Sequence, residues 1–263
     1  MAGGATATLA LPVVDDTLNE PDELFLVQLL NPVGATLTDG EAQLTITDND
    51  TATVLATPFL EVTEGGTGTG GPPFSSVATS LAFALDRPSQ GALRFELTTA
   101  GGTAGAGDFT ALNAEPVTFA PGATMATAVL NVTADTIHED DETLSVVAAN
   151  LQRDDGAGFM QTGDVFQTAT QPTVTIQDDD AIVASIADMS FGEGNSGQMQ
   201  VKIVTTWSGP TEVACNFVLD TADGTAMAGS DYVALVNTPN GLSQNGVATT
   251  SETNLNIIGD GLR

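Results

Sequence analysis

In the middle of the chain, apolar residues alternate with polar ones in seven short runs. Each run is bounded by Gly, Pro, Asn or Asp, the residues that favour turns. No long stretch repeats its apolar positions every 3.6 residues, so almost no helix is predicted. Seven short strands in about 130 residues predict an all-β fold, an immunoglobulin-like antiparallel β-sandwich. The runs span residues 53–62, 77–85, 92–99, 115–119, 126–133, 143–149 and 172–177.

One acidic pattern occurs twice, each time before an alternating apolar run. Residues 16–23 read DTLNEPDE and residues 135–142 read DTIHEDDE, at an offset of 119 residues. Asn31 and Asn150 have the same offset, and each is predicted to end the strand that follows its acidic turn. Residues 5–14 are predicted to form the strand that leads into the first copy.

A second set of matches joins the middle of the chain to its end. Residues 102–109 (GTAGAGDF) match 224–232 (GTAMAGSDY), and residues 255–260 match the strand that enters Asp135. These matches indicate a repeat of about 130 residues. The prediction is a tandem of β-sandwiches with incomplete terminal units: residues 1–50 as the C-terminal half of a unit, 51–181 as a complete unit and 182–263 as the N-terminal part of a further unit. The insertion at 152–171 is predicted to be a long, mobile hairpin loop, and the glycine-rich residues 65–71 a flexible loop.

The charge of the chain narrows the classes of partner. Against 34 acidic residues stand 5 Lys and Arg, which gives a net charge of −29. Nucleic acid and anionic lipid would be repelled, so neither nucleic-acid binding nor direct membrane insertion is expected. No run of about 18 apolar residues suggests a membrane span. Cys215 is the single cysteine, so no disulfide forms within the chain, and it is expected to be a small buried strand residue.

Several acids lie close together at predicted strand ends. Asp178, Asp179 and Asp180 follow one strand, residues 135–142 follow another, and Glu64 and Asp108 lie at two further turns. Loops of a sandwich gather at its two ends, so these carboxylates are expected to meet. The chain has too few cations to neutralise them, and Ca²⁺ takes about 6 to 8 oxygen ligands in irregular loops. More than one calcium ion is therefore expected. The scattered acids Asp86, Glu96, Asp154, Asp155 and Asp164 are expected to form a solvated negative face.

The order of these motifs resembles the Calx-beta domain, which occurs in sodium/calcium exchangers, integrin β4 and large bacterial surface proteins. The resemblance rests on Glu-Gly in the first strand, GTA…GDF, D-x-x-x-E-D-D-E and a terminal DDD or DND. It implies calcium ligands in each unit. Those of the complete unit would be Glu64, Asp108, Asp135, Glu139, Glu142, Asp178, Asp179 and Asp180; those of the first unit Asp15, Asp16, Glu20, Glu23, Asp48 and Asp50; and those of the last Glu193, Asp231 and Asp260. Asn49 replaces the middle acid of the first triplet, and Ala134 stands where the first unit has Asp15.

No constellation typical of an enzyme is found. His138, the single histidine, is expected to be an exposed loop residue, and no Ser/His/Asp or Cys/His arrangement is suggested. The chain is therefore predicted to be a non-enzymatic, calcium-binding repeat module of a larger secreted protein. It is expected to be extracellular or on the cell surface, where calcium rigidifies a stalk used in adhesion or cell communication.

The expected partners are calcium, neighbouring repeat units and a protein or cell-surface ligand. Two alternatives remain open: a regulatory calcium sensor attached to a membrane protein, and an accessory domain of a secreted enzyme. The two incomplete units are complementary, so a further hypothesis is that the tail of one chain completes the head of another.

Overall fold

The computed structural model describes residues 4–65, 76–166, 171–243 and 248–261, and all the regular secondary structure in these ranges is β-strand. Residues 66–71 of the predicted glycine-rich loop lie outside this range. The described part of the chain has no helix of the length and hydropathy that crossing a membrane requires. The strands are β1 (Glu23–Gln28), β2 (Glu41–Ile46), β3 (Thr53–Ala56), β4 (Phe59–Thr63), β5 (Val77–Leu85), β6 (Ala92–Ala100), β7 (Glu115–Phe119), β8 (Met125–Val132), β9 (Glu142–Asp154), β10 (Phe159–Gln161), β11 (Val165–Phe166), β12 (Thr173–Gln177), β13 (Ala184–Ile186), β14 (Gly197–Trp207), β15 (Cys215–Leu219), β16 (Thr238–Leu242) and β17 (Thr250–Gly259).

Strands β3 to β12 form a two-layer sandwich. One sheet has the order β11-β3-β5-β8, and the other has the order β4-β12-β9-β6-β7, with β10 paired to β9. The seven predicted runs all coincide with strands of these two sheets. Alternation was a sufficient signal here because each strand has one face in the core and the other towards solvent.

The first strand of the sandwich belongs to both sheets, which the sequence prediction treated as one run. Pro58 cannot donate to a sheet, and the strand breaks there into β3 and β4. β3 pairs antiparallel with β5, whereas β4 pairs parallel with β12. A second short parallel pairing joins β11 to β3. The sandwich is thus mainly antiparallel with two parallel pairings at its edges, and the β4–β12 pairing places Glu64 beside Asp178.

Aromatic rings from both sheets fill the middle of the core. Phe95 on β6 has no exposed surface, and its ring centroid lies 4.9 Å from that of Phe83 on β5 in an edge-to-face contact. Phe119 and Phe166 lie 6.0 and 5.7 Å from the same ring. Phe95 therefore connects the two layers, because its ring contacts rings from both the four-stranded and the six-stranded sheet.

The insertion has more regular structure than the sequence suggested. β9 does not end at Asn150 but continues to Asp154, and β10 folds back on it. Asn150 has a φ of 56° and lies in a β-bulge, where the register of β6 against β9 shifts between Arg94 and Glu96. Asn31 has the corresponding φ of 53°. The predicted strand break is thus a bulge in the complete unit, because asparagine tolerates the left-handed region in either setting.

The first 50 residues contribute one hairpin, in which β1 pairs with β2. The prediction of a strand at 5–14 is wrong, since the described residues there form no strand and are exposed. In the complete unit the corresponding strand is β8, which pairs with β5. The described residues include no strand that pairs with residues 5–14, so the backbone of that stretch belongs to no sheet.

The last segment repeats the first two-thirds of the sandwich. β13-β14-β17 form one sheet and β15-β16 form another, in the places that β3-β5-β8 and β6-β7 take in the complete unit. Ala114 directly precedes β7 and Asn237 directly precedes β16, and both have a positive φ, 53° and 46° respectively. Cys215 is half-buried at the start of β15. The division of the chain at residues 50 and 181 stays a prediction.

Asp164 is a buried structural residue rather than part of a solvated face. It is 8% exposed, and its Oδ1 accepts hydrogen bonds from Ala52 N at 2.9 Å and from Asn19 Nδ2 at 2.6 Å. Other scattered acids also have partners: Asp155 pairs with Arg153, and Asp86 accepts from Thr53 N. Asp164 fixes the first segment against the complete unit, a role that its isolated position in the sequence did not indicate.

Candidate metal centre

Four separate segments bring carboxylates to one end of the complete sandwich. Glu64 follows β4, Asp108 lies between β6 and β7, residues 135–142 connect β8 to β9, and residues 178–180 follow β12. The parallel pairing of β4 with β12 continues into a hydrogen bond from Glu64 N to Gln177 O at 3.1 Å. The antiparallel bridge between Phe109 and Val132 brings the Asp108 turn to the end of β8. The register of the sheets therefore determines which acids meet.

Carboxylate–backbone hydrogen bonds give the acidic turn its shape. Asp135 Oδ1 accepts from Ile137 N at 2.7 Å, and Asp178 Oδ1 accepts from Glu139 N at 3.2 Å. Asp141 Oδ1 in turn accepts from Asp178 N at 3.2 Å. These bonds use one oxygen of each carboxylate. The second oxygen of Asp178, Oδ2, lies 3.0 Å from His138 Nδ1.

The inner group of acids consists of Glu64, Asp179 and Asp180, whose ligand oxygens all lie within 4.8 Å of one another. Glu64 is only 2% exposed and Asp180 is 8% exposed. Glu64 Oε1, Asp179 Oδ1 and Asp180 Oδ2 are buried, and the structure gives none of them a hydrogen-bond partner. Buried carboxylate oxygens without a donor are unfavourable unless a cation neutralises them. The inner group therefore has the character of a cation site.

The outer group consists of Asp108, Glu139 and Glu142, whose ligand oxygens also lie within 4.8 Å of one another. The Asp108 Oδ2 atom accepts a hydrogen bond from Gly105 N at 2.5 Å, which orients the carboxylate towards the group. All three side chains are half-buried. Among the described residues, only these two groups bring three potential ligand atoms within 4.8 Å of one another. Both groups belong to the complete unit.

The electrostatics show that the two groups form one continuous cluster. Burial, together with Asp135, Glu139, Asp178 and Asp180, raises the pKa of Glu64 to about 8. Burial, Asp135, Glu212, Asp108 and Glu142 raise the pKa of Glu139 to about 8. The pKa of Glu142 rises to about 7 and that of Asp180 to about 6, again mainly through burial and then through neighbouring carboxyls. All eight ligands that the resemblance implied for this unit thus lie within one region of like charge.

These raised pKa values predict that the metal-free protein loses stability as the pH rises. A carboxyl whose folded pKa exceeds its unfolded value near 4.5 favours the folded state only when protonated. The resulting penalty is absent below pH 4.5 and is complete above the folded pKa of about 8. The melting temperature of metal-free protein is therefore expected to fall between pH 5 and pH 8. Melting curves of EDTA-treated protein check this, and the fall should be smaller in Glu64→Gln; a flat profile would contradict the clustering.

The donor set fits a hard divalent cation. Every candidate side chain offers carboxylate oxygen, and no sulfur lies in either group. Irregular, multidentate oxygen sites of this kind suit Ca²⁺, whereas Mg²⁺ requires near-ideal octahedral geometry and keeps several waters. Glu64, Asp179 and Asp180 could hold one ion and Asp108, Glu139 and Glu142 another. Asp135 lies near enough to raise the pKa of Glu64 in the first group and of Glu139 in the second.

The first unit repeats the hydrogen bonds of the turn. Leu18 N donates to Asp16 Oδ1 at 2.8 Å, Glu20 N to Asp48 Oδ2 at 3.2 Å, and Asp48 N to Asp22 Oδ1 at 3.1 Å. Asp15, Asp16, Glu20, Glu23, Asp48 and Asp50 line one concave surface. The pKa of Glu20 is raised by burial and then by Asp16, Glu23, Asp48 and Asp50.

The neutralisation of the first unit differs from that of the complete one. Asp50 forms an ion pair with Arg87. Asp180, its counterpart in the complete unit, has no such arginine partner among the described residues. Asn49 stands where the complete unit has Asp179, so the terminal triplet of the first unit has one carboxylate fewer.

In the last unit, the three predicted residues keep only part of the arrangement. Asp231 Oδ2 accepts from Met227 N at 2.6 Å, as Asp108 accepts from Gly105. Glu193 lies beside the end of β17. Its backbone carbonyl oxygen is so close to Gly259 that a Cβ atom added to this glycine would lie 2.8 Å from it. Glu193, Asp231 and Asp260 do not form a close triplet in the part of the chain that the structure describes.

Two residues of the centre were missed or misjudged from the sequence. Glu212, which belongs to the last unit, is near enough to raise the pKa of Glu139 and Glu142. His138 is not simply an exposed loop residue: its side chain is 31% exposed, its Nδ1 lies 3.0 Å from Asp178 Oδ2, and its backbone bonds to residues 210–212. A comparison of acids within each repeat could not reveal Glu212, since it acts across the boundary between units.

The chain is similar to several solved structures. The apo form of the Calx CBD1 domain is 21% identical over 50% of this chain and 100% of that chain, with a TM-score of 0.39. The calcium binding domain CBD12 of CALX1.1 is 19% identical over 79% of this chain and 76% of its own, with a TM-score of 0.35. A two-domain protein with unknown function from Bacteroides fragilis is 8% identical over 80% and 88%, with a TM-score of 0.33. The comparison with curated proteins gives no match.

The family comparison is more specific. The model of the Calx-beta domain matches residues 2–50, 87–180 and 177–260. These segments take in most of the sequence. The chain belongs to the Calx-beta domain family.

Proposed function

We infer that the chain is a calcium-binding tandem module without catalytic activity, and that its complete unit carries the main site. The observation that supports this best is Glu64, which is 2% exposed and has a buried Oε1 atom without a hydrogen-bond partner among three further acidic segments. An oxygen of this kind is stabilised by a cation that several carboxylates share. The family membership and the description of CBD12 of CALX1.1 as a calcium binding domain support the same ion.

Calcium would act on this module as a mechanical clamp. Without the ion, the carboxylates of four segments repel one another, as their raised pKa values indicate. With the ion bound, those segments are held together, and binding to the folded state alone stabilises that state. We place the module in a larger secreted or cell-surface protein, as a stalk used in adhesion or cell communication, because millimolar calcium is available to extracellular modules.

A calorimetric titration with calcium chloride tests the site. The parent is expected to bind calcium, and Glu64→Gln is expected to lose binding at the inner group or to weaken it by about tenfold or more, because a site's affinity depends on its ligand charge. Glu61→Gln is the matched control: it removes the same charge at an exposed position of β4, the strand that Glu64 follows. Equal weakening in both variants would mean that only overall charge matters, and no binding by the parent would refute the function.

The affinity also separates the stalk from the alternative of a regulatory sensor. Extracellular modules bind calcium at about 0.1 to 1 mM, whereas sensors bind at about 0.1 to 10 μM. The same titration supplies this number. A submillimolar to millimolar dissociation constant supports the stalk, and a micromolar one favours the sensor.

A further inference from the structure

The chain joins its first segment to the complete unit through a short parallel bridge. Asn19 N donates to Pro88 O at 3.1 Å, and Gln90 N donates to Asn19 O at 2.8 Å, so Asn19 is bridged to Ser89. Asn19 lies in the acidic turn of the first segment, directly before Glu20. The join thus brings the loop between β5 and β6 of the complete unit against the acidic turn of the first segment.

The complete unit is joined to the last unit by the same bonds. His138 N donates to Pro210 O at 3.3 Å, and Glu212 N donates to His138 O at 2.9 Å, so His138 is bridged to Thr211. His138 follows Asn19 by 119 residues, the offset of the acidic turns. The two joins can therefore be compared position by position.

The residue that faces the acidic turn differs between the joins. At the first join it is Gln90, whose Nε2 donates to Glu20 Oε1 at 3.0 Å. At the second join it is Glu212, which brings a carboxylate towards Glu139, the counterpart of Glu20. An amide can donate to a carboxylate, but an ionised carboxylate cannot. The side-chain hydrogen bond of the first join therefore cannot form between two ionised glutamates at the second join. A cation is needed there to bring the two carboxylates together.

The residue that could neutralise the last acid of the terminal triplet also differs between the two joins. Arg87 of the complete unit pairs with Asp50 across the first join. The matching position of the last unit, one residue before Pro210, is Gly209, which has no side chain to offer. Asp180, the counterpart of Asp50, keeps a buried Oδ2 atom without a partner. The incoming unit thus adds positive charge at the first join and negative charge at the second.

We propose that Glu212 of the last unit is a ligand of the calcium ion held by Asp108, Glu139 and Glu142, so that this ion bridges two units. The inference rests on the proposed function and adds to it a ligand from outside the unit. The backbone bond of Glu212 to His138 places Glu212 beside the residue that precedes Glu139. The buried Glu64 Oε1 atom has no hydrogen-bond partner and independently indicates that the acidic cluster, which includes Glu139, requires a cation.

The two joins then respond differently to calcium. The first is held by a protein ion pair and an amide hydrogen bond, neither of which involves calcium. At the second join, Glu212 is bonded through its backbone to His138 and raises the pKa of Glu139 and Glu142, so like charges approach one another across the boundary and a bound ion would offset their repulsion. Calcium would therefore stiffen the second join.

The test uses the full chain and the substitution Glu212→Gln, which gives the second join the residue type of the first. Calorimetric titration with calcium chloride is expected to show binding weakened by about tenfold or more at one class of site, because one ligand charge is lost. Asp188→Asn is the matched control, since Asp188 is an exposed acid of the same unit and its loss removes the same charge. Small-angle X-ray scattering, with and without calcium, is the second measurement. The parent and Asp188→Asn should change their scattering profile on adding calcium, and Glu212→Gln should lose most of that change.

The outcomes separate the two inferences. If Glu212→Gln binds calcium as the parent does while Glu64→Gln does not, the bridging ligand is refuted and the calcium function stands. If Asp188→Asn weakens binding as much as Glu212→Gln, the effect is one of net charge, and the bridging ligand is refuted as well. If the parent itself binds no calcium, both inferences are refuted.

Discussion

Saturating calcium is expected to raise the melting temperature of the chain by about 10 °C relative to the metal-free protein at pH 7.5. A ligand present at about 100 times its dissociation constant adds about 2.7 kcal/mol to the stability of a single-site protein. For a domain of about 130 residues, that corresponds to a shift of roughly 10 °C. Both the inner and the outer acidic groups contribute, so a second ion would increase the shift. Differential scanning calorimetry of the calcium-loaded and EDTA-treated protein measures it.

The control for this experiment is salt. The chain carries a net charge of −29, so any cation that screens self-repulsion stabilises the folded state to some extent. Sodium chloride at matched ionic strength is expected to give a much smaller shift, and magnesium an intermediate one, because magnesium dehydrates reluctantly. Equal shifts with sodium and calcium would mean that no specific site exists. Glu64→Gln should lose most of the calcium-specific part, and Glu61→Gln should retain it.

Phe95→Ala is expected to destabilise the complete unit by about 3 to 5 kcal/mol, the range measured for large-to-small changes at fully buried aromatic residues. The Phe95 ring has no exposed surface and contacts Phe83, Phe119 and Phe166, so its removal leaves a cavity between the two sheets. A loss of this size is a large share of the 5 to 15 kcal/mol or so that stabilises a typical domain. Urea unfolding followed by circular dichroism is the measurement.

Phe59→Ala serves as the control for the core substitution. Phe59 begins β4 but is 75% exposed, so its truncation is expected to change the stability by no more than about 0.5 kcal/mol. A similar loss in both variants would contradict the assignment of Phe95 to the core. The fluorescence of Trp207, the single tryptophan, reports on β14 of the last unit and so shows whether that unit unfolds together with the complete one.

The strands of the complete unit were predictable from the sequence because each has a buried face and a partner within the described chain. The same alternation misled at residues 5–14, where Leu9 and Val13 alternate with polar residues and small residues but remain 69% and 63% exposed. Periodicity shows that a segment could be a strand; it does not show that a partner strand is present. Pro58, by contrast, was a usable signal for the division between β3 and β4, since proline cannot donate to a central ladder.

The acids of the candidate centre were predictable to the extent that they repeat within units. The offset of 119 residues that aligns Glu20 with Glu139 also aligns the hydrogen bonds of the two turns. Glu212 could not be found in this way, because its function depends on which residue of the next unit approaches the turn. Asp164 was misjudged for a related reason: its burial arises from the Asn19 contact, which only the folded chain brings about.

The two joins share a backbone bridge, although their side chains differ: Asn19 meets Ser89 as His138 meets Thr211. In a longer array whose units all meet through this bridge in one orientation, one rotation and one translation would carry each unit onto its successor. The contact is between the front of one unit and the back of the next, and repeating such a contact generates an open helical fibre when the rotation does not close a ring. A long run of these units would wind with a constant pitch, with its acidic turns following a spiral along the axis.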